Sequence, residues 1–219
     1  MSAPMADLAF ADVPAAEDVV ASAEAVATAI EAGAVQDADM AKPAGSLAWS
    51  CGETLAHMCD AVGWYAANLA RRSTTSSGYP DAPTSWPVAD LVDVLRSAAA
   101  VLAAVVRDAA LSDRGHHSWG VADRSGFAAM GCDEILVHGY DLAQGLGFEF
   151  SPPAQSVERT LRRLFPWAPG ADEADPWDAL LWANGRIPLG DRPPETKWLW
   201  HCAPLNDWNG EIRRWKPRN

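Results

Sequence analysis

Four long segments with helical periodicity make up most of the first 150 residues of this 219-residue chain. The clearest is the second, where five apolar residues recur at spacings of 3, 4, 3 and 4: Leu55, Met58, Val62, Tyr65 and Leu69. This spacing places all five on one face of an α-helix and predicts that the face is buried. Ser50 and Glu53 match a capping box, so we expect the helix to begin at Ser50.

The other three segments cover about residues 15–34, 87–111 and 127–146. Gly147 is a natural end for the last of them. The segments between them are rich in glycine, proline, serine and aspartate and are predicted to be loops, including residues 112–126. Four helices joined by loops of moderate length are typical of a helical bundle. The sequence therefore predicts a mainly α protein built on an antiparallel four-helix bundle.

After residue 150 the sequence changes character and becomes rich in tryptophan and proline. Residues 155–165 predict a short helix that ends before Pro166. The stretches TKWLWH and GEIRRW, at 196–201 and 210–215, are candidate strands of a β-hairpin. An isolated hairpin is only marginally stable. We therefore expect residues 151–219 to be an extension packed on a bundle domain of residues 1–150.

Composition excludes several classes of partner. The chain has 17 basic and 29 acidic residues, a net charge of −12, which disfavours nucleic acid and anionic membrane surfaces. The start of the sequence lacks the basic region of a signal peptide, and the longest apolar run is too short to cross a bilayer. The four cysteines have no CxxC spacing. Free thiols in a reducing cytoplasm are the expectation, and neither nucleic acid nor a membrane is expected as a partner.

Glu134 and His138 stand out because they lie four residues apart in the most apolar part of the fourth helix. This spacing puts both side chains on one helix face. A carboxylate in such surroundings is costly unless something pairs with it. A hydrogen bond between the two side chains would suffice, and so would a metal ion.

His57 adds a third candidate ligand. It lies beside the apolar face of the second helix and can point toward the bundle interior. Two imidazoles and one carboxylate leave positions open on zinc, nickel or ferrous iron. Glu53 is a conceivable fourth ligand, but its capping role accounts for it. Asp141 could orient His138 or serve only as a cap, and His116 and His117 could line the entrance or lie in solvent.

Two stretches carry a family resemblance: WSCGETLAH at 49–57 and EILVHGYDLAQGLG at 134–147. They resemble the DinB-like superfamily of metal-binding four-helix bundles, and within it the mycothiol-dependent maleylpyruvate isomerase type. The resemblance covers about residues 15–150. It implies that His57, Glu134 and His138 bind a divalent metal, usually zinc, and that a low-molecular-weight thiol of the mycothiol type is a cofactor.

The resemblance implies an enzyme that uses a metal and a thiol, an isomerase or S-transferase acting on a small electrophilic substrate. An acidic substrate would need an arginine, and Arg124, Arg213 and Arg214 are candidates. Two alternatives remain open. One is a metal-binding or ligand-sensing scaffold without turnover, and the other is a hydrolase in which the metal activates water.

Overall fold

The computed structural model describes residues 13–75 and 78–215. This part of the chain is mainly helical, with a small two-stranded antiparallel sheet. In chain order its α-helices and β-strands are α1 (Ala16–Ala32), α2 (Cys51–Ala70), α3 (Val88–Asp108), β1 (Gly115–His117), β2 (Gly120–Ala122), α4 (Arg124–Leu146), α5 (Ala154–Leu164) and α6 (Pro176–Ala183). Two short 3-10 helices cover Asp37–Ala41 and Leu205–Asp207. Residues 1–12, where no signal peptide was predicted, and residues 216–219 lie outside the described ranges.

The first four helices pack against one another: α1 and α2 each contact both α3 and α4. This arrangement is compatible with the predicted four-helix bundle. The apolar face of α2 is buried as its spacing predicts, and it forms part of one continuous core. None of the helices within the described residues combines the length and the apolar character that crossing a bilayer requires.

The predicted ends of two helices are confirmed. The side chain of Ser50 accepts a hydrogen bond from the backbone N–H of Glu53 at 3.2 Å, and the Glu53 carboxylate accepts one from the backbone N–H of Ser50 at 2.7 Å. These bonds satisfy donors that the first turn of α2 leaves free. Gly147 ends α4 in the left-handed conformation, with φ of 78°. The carboxylate of Glu53 therefore forms part of the cap at the start of α2.

Helix α4 lies at the centre of the packing, because α1, α2, α3 and α5 all contact it. This position accounts for the apolar character of its sequence. Two of its glycines permit close approach. A Cβ atom at Gly139 would lie 2.6 Å from the side chain of Val26 on α1, and one at Gly131 would lie 2.6 Å from that of Leu102 on α3. Larger residues there would push α1 and α3 away from α4.

The loop predicted at residues 112–126 is wrong in part, because β1 and β2 form a short hairpin there. The start of α4 also precedes the predicted residue 127. The side chain of Asp123 accepts a hydrogen bond from the backbone N–H of Gly126 at 2.8 Å and caps the helix at Arg124. Aspartate is a favoured N-cap residue, so Asp123 was a signal in the sequence for this helix start.

The predicted C-terminal hairpin is present only in part. Within the described residues, 196–201 and 210–215 form no regular strands, and their backbones pair at a single antiparallel bridge between Trp198 and Arg214. The backbone N–H of His201 donates instead to the carbonyl of Leu164 at the end of α5, at 2.9 Å. The rings of Trp198 and Trp200 pack on Trp119, next to β2. These contacts fix the segment on other parts of the chain and replace a regular strand ladder.

Helix α6 was not predicted, although its start carries a clear signal. Asp175 caps it through the backbone N–H of Trp177 at 2.9 Å, and Pro176 occupies the first turn.

The predicted helix at 155–165 is present as α5, which packs on α4 and α1. An ion pair of 3.0 Å between Arg159 and Asp18 joins α5 to α1. The division into two domains at residue 150 stays a prediction.

Candidate metal centre

Three side chains singled out from the sequence lie together between α2 and α4. His57, Glu134 and His138 each offer one donor atom, and these atoms all lie within 4.8 Å of one another. Glu134 is central, with Oε2 at 3.3 Å from Nε2 of His57 and 3.2 Å from Nε2 of His138. The group could hold a metal ion.

The two separations from Glu134 to the histidines suit a small cation. In a tetrahedral site with ligands at about 2.0–2.1 Å, neighbouring donor atoms lie roughly 3.3–3.4 Å apart. The two N···O separations, 3.3 and 3.2 Å, are close to this spacing. The side chains of Glu134 and His138 are 12% and 11% exposed and that of His57 is 36% exposed, so the group is accessible mainly at His57.

The carboxylate of Glu134 is hydrogen-bonded at both oxygens. Its Oε1 accepts a bond of 2.8 Å from the hydroxyl of Tyr65, while Oε2 faces the two histidines. Burial opposes ionisation of Glu134, but the bonds to His138 and His57 outweigh it and hold the pKa of Glu134 well below its usual range. Burial, followed by the nearby Glu134 charge, raises the pKa of Tyr65, so the phenol keeps its proton.

His138 is fixed from its other side by Asp141. Its Nδ1 lies 2.9 Å from Oδ2 of Asp141, and Arg186 donates to both oxygens of Asp141, at 2.7 and 3.2 Å. Burial works against a charged His138, yet the bonds to Asp141 and Glu134 prevail and raise the pKa of His138 to about 9. Asp141 therefore orients His138. Arg186 follows α6 and has no sequence pattern that marks it.

A cleft of about 360 Å³ opens over this group. All three candidate ligands line it, together with Arg186, Asp133 and Asn184. Four tryptophans form its apolar walls: Trp49, Trp119, Trp198 and Trp200. The ring of Trp49 lies 4.8 Å from that of His57, centroid to centroid. The cleft thus combines an aromatic wall with a polar floor, as small-molecule sites commonly do.

The arginines singled out from the sequence lie elsewhere. Arg124 donates to the carbonyl of Ala109, Arg213 to that of Trp119, and Arg214 pairs with Glu195. Arg186 is the arginine that lines the cleft.

A second cleft, of about 320 Å³, reaches the same group from another side. His57 and Glu134 line both clefts, and Tyr65, His117 and Asp60 line only the second. His117 is buried on β1, and this burial lowers the pKa of His117 to about 4. Of the two loop histidines considered from the sequence, His117 thus lines an approach to the site.

Comparison of the chain with family models, with curated proteins and with solved structures gives no significant match.

Proposed function

We propose that this protein is a metal- and thiol-dependent isomerase or S-transferase that acts on a small electrophilic substrate. The proposal includes membership of the DinB-like superfamily of four-helix bundles, in the mycothiol-dependent maleylpyruvate isomerase type. One observation carries it: two imidazole nitrogens and one carboxylate oxygen converge at the floor of a tryptophan-walled cleft. Three protein donors leave coordination positions for an exogenous ligand.

His57, Glu134 and His138 would hold a divalent cation, for which zinc is the first candidate. As a Lewis acid, the cation would keep a thiol in its thiolate form near neutral pH. The residues around it position and shield this chemistry. Asp141 orients His138 so that Nε2 faces Glu134. The tryptophan walls bind apolar substrate surface and limit the access of water to the floor of the cleft.

A thiol held there as thiolate would supply the nucleophile for an electrophilic carbon of a substrate double bond. Reversible addition would permit rotation about the former double bond, and loss of the same thiolate would give the other geometric isomer with no net change in the thiol. Retention of the C–S bond, with a proton taken up at the neighbouring carbon, would be S-transfer. Arg186 lines the cleft and would meet an acidic group on the substrate. The four unpaired cysteine thiols support a reducing cytoplasm as the location of this chemistry.

The test begins with the metal. Chelator-treated protein is titrated with zinc, and we expect one ion per chain in the wild type. His57→Ala should weaken zinc binding by more than the roughly 10–100-fold that loss of an outer hydrogen-bond partner costs. His116→Ala is the matched control, since His116 bonds to the carbonyl of Thr74 outside the candidate centre. Equal zinc affinity for wild type and His57→Ala would contradict the metal site.

Native mass spectrometry of the zinc-loaded protein with candidate thiols tests the thiol. A bound low-molecular-weight thiol that is lost with the metal supports the isomerase or transferase. Zinc binding without affinity for any thiol contradicts thiol chemistry and favours a hydrolase or a scaffold.

A further inference from the structure

The two oxygens of Glu134 have different partners. Oε2 lies 3.3 and 3.2 Å from the Nε2 atoms of His57 and His138, so it is the oxygen that faces the shared position between the three donors. Oε1 accepts the hydroxyl hydrogen bond of Tyr65 at 2.8 Å. Tyr65 belongs to α2 and Glu134 to α4, so the bond joins the two helices that supply the candidate ligands.

The hydroxyl of Tyr65 is held firmly in this place. Tyr65 is only 3% exposed, within the buried face of α2, and its ring lies against those of Trp64, His117 and Phe127. A side chain confined on several sides cannot swing its hydroxyl away from Oε1 without disturbing its neighbours. The hydrogen bond is therefore a fixed feature of the centre.

A carboxylate can bind a cation through one oxygen or through both. Binding through both would use a coordination position that a three-donor site otherwise leaves to an exogenous ligand. It would also require Oε1 to turn toward the ion and away from the phenol, which would leave the buried hydroxyl of Tyr65 without its acceptor. A buried donor left without an acceptor disfavours the arrangement that contains it.

We propose that Tyr65 is a positioning residue that makes Glu134 a one-oxygen ligand and so keeps an additional coordination position free. This inference rests on the proposed metal centre. Tyr65, which lines the second cleft, would thereby help to set the number of open coordination positions at the ion. The alternative is a structural role in which the hydroxyl only joins α2 to α4 and has no effect on how Glu134 binds.

Infrared difference spectroscopy distinguishes the two roles. The spectrum of the zinc-loaded protein minus that of the chelator-treated protein, in ¹³C-glutamate-labelled samples, isolates the carboxylate that the metal perturbs. One-oxygen binding separates the antisymmetric and symmetric stretches widely, and two-oxygen binding narrows the separation. We expect a wide separation in the wild type and a narrow one in Tyr65→Phe, with one zinc per chain in both.

Tyr79→Phe is the matched control, because it removes a phenol hydroxyl from the same cleft at a ring that packs over Gly63. It should keep the wide separation. Tyr65→Phe with the wild-type separation and full zinc overturns the inference, and so does folded Tyr65→Phe that has lost zinc. A narrow separation in the wild type overturns it without any variant. A wild type that binds no zinc at all refutes the proposed function itself.

Discussion

Asp141 holds one nitrogen of His138, and this bond decides which nitrogen faces the candidate metal position. Oδ2 of Asp141 lies 2.9 Å from Nδ1, while Nε2 on the opposite side of the ring lies 3.2 Å from Glu134. A neutral imidazole carries its single N–H on one nitrogen. Without a metal, the pKa of about 9 leaves His138 protonated on both nitrogens near neutral pH. When a metal ion takes the place of the Nε2 proton, the ionised Asp141 keeps the hydrogen at Nδ1, so the lone pair lies on Nε2, where a metal ligand needs it.

Replacing Asp141 by asparagine should therefore weaken zinc binding by about 10–100-fold, since an amide holds the imidazole tautomer less strongly than a carboxylate does. Competition with a chromogenic chelator measures the affinity, and circular dichroism checks the fold. Glu53→Gln is the control, as it makes the same chemical change at the start of α2. Wild-type affinity in Asp141→Asn would show that the orientation of His138 does not depend on this bond.

Arg163 is a buried cation that joins the extension to the start of α4. Its side chain is 0% exposed and bonds to Asp123 at 2.9 Å and to the carbonyls of His201 and Cys202 at 2.8 and 3.1 Å. Arg163→Met leaves a largely buried carboxylate and two carbonyls without this donor, so we expect a loss of about 3–5 kcal/mol in the free energy of unfolding.

Urea denaturation measures this loss. Arg107→Met is the matched control, because Arg107 and Glu17 form an ion pair with both side chains exposed, and such pairs contribute only about 0–1 kcal/mol. Similar losses in the two variants would mean that Arg163 contributes no more than a surface ion pair.

His117 predicts a dependence of stability on pH. Burial, opposed by the charge of Glu134, lowers the pKa of His117 from 6.5 to about 4, and its Nδ1 accepts the backbone N–H of Trp119 at 3.2 Å. The unfolded chain thus takes up this proton before the folded chain does. Neutral His117 therefore makes its full contribution to the free energy of unfolding above pH 6.5. This contribution is lost as the pH falls toward 4, by roughly 3 kcal/mol in total.

Denaturation curves of the metal-free protein between about pH 7.5 and pH 4 test this dependence. His117→Gln should lose less stability than the wild type over that range, because it carries no group to protonate. His116→Gln, the neighbouring histidine in the same strand, should follow the wild type. Parallel curves for wild type and His117→Gln would contradict the prediction.

The cysteines should be unreactive in the folded protein. All four are unpaired and buried. Burial raises the pKa of Cys59, Cys132 and Cys202 to about 12, so little thiolate is present near neutral pH. A thiol reagent at pH 8 should modify these three slowly in the native state and should count four thiols after denaturation without reductant. A count of two would indicate a disulfide.

The sequence by itself determined the features that depend on neighbours within a few turns of chain. The apolar spacing from Leu55 to Leu69, the cap formed by Ser50 and Glu53 and the end of α4 at Gly147 follow from local geometry. The pairing of Glu134 with His138 follows from it too, because a helix brings residues four apart onto one face whatever surrounds it. These predictions needed no knowledge of the rest of the fold.

Only the tertiary structure decided which distant residues meet that pair. His57 and Tyr65 reach Glu134 across 77 and 69 residues, and Arg186 reaches Asp141 across 45. Such contacts depend on how α2 packs on α4 and on where the chain after α6 lies. The predicted C-terminal strands are reduced to one bridge for the same reason. A segment suited to a strand forms a ladder only where a partner edge is available. Here the backbone N–H of His201 donates to Leu164, and the rings of Trp198 and Trp200 pack on Trp119.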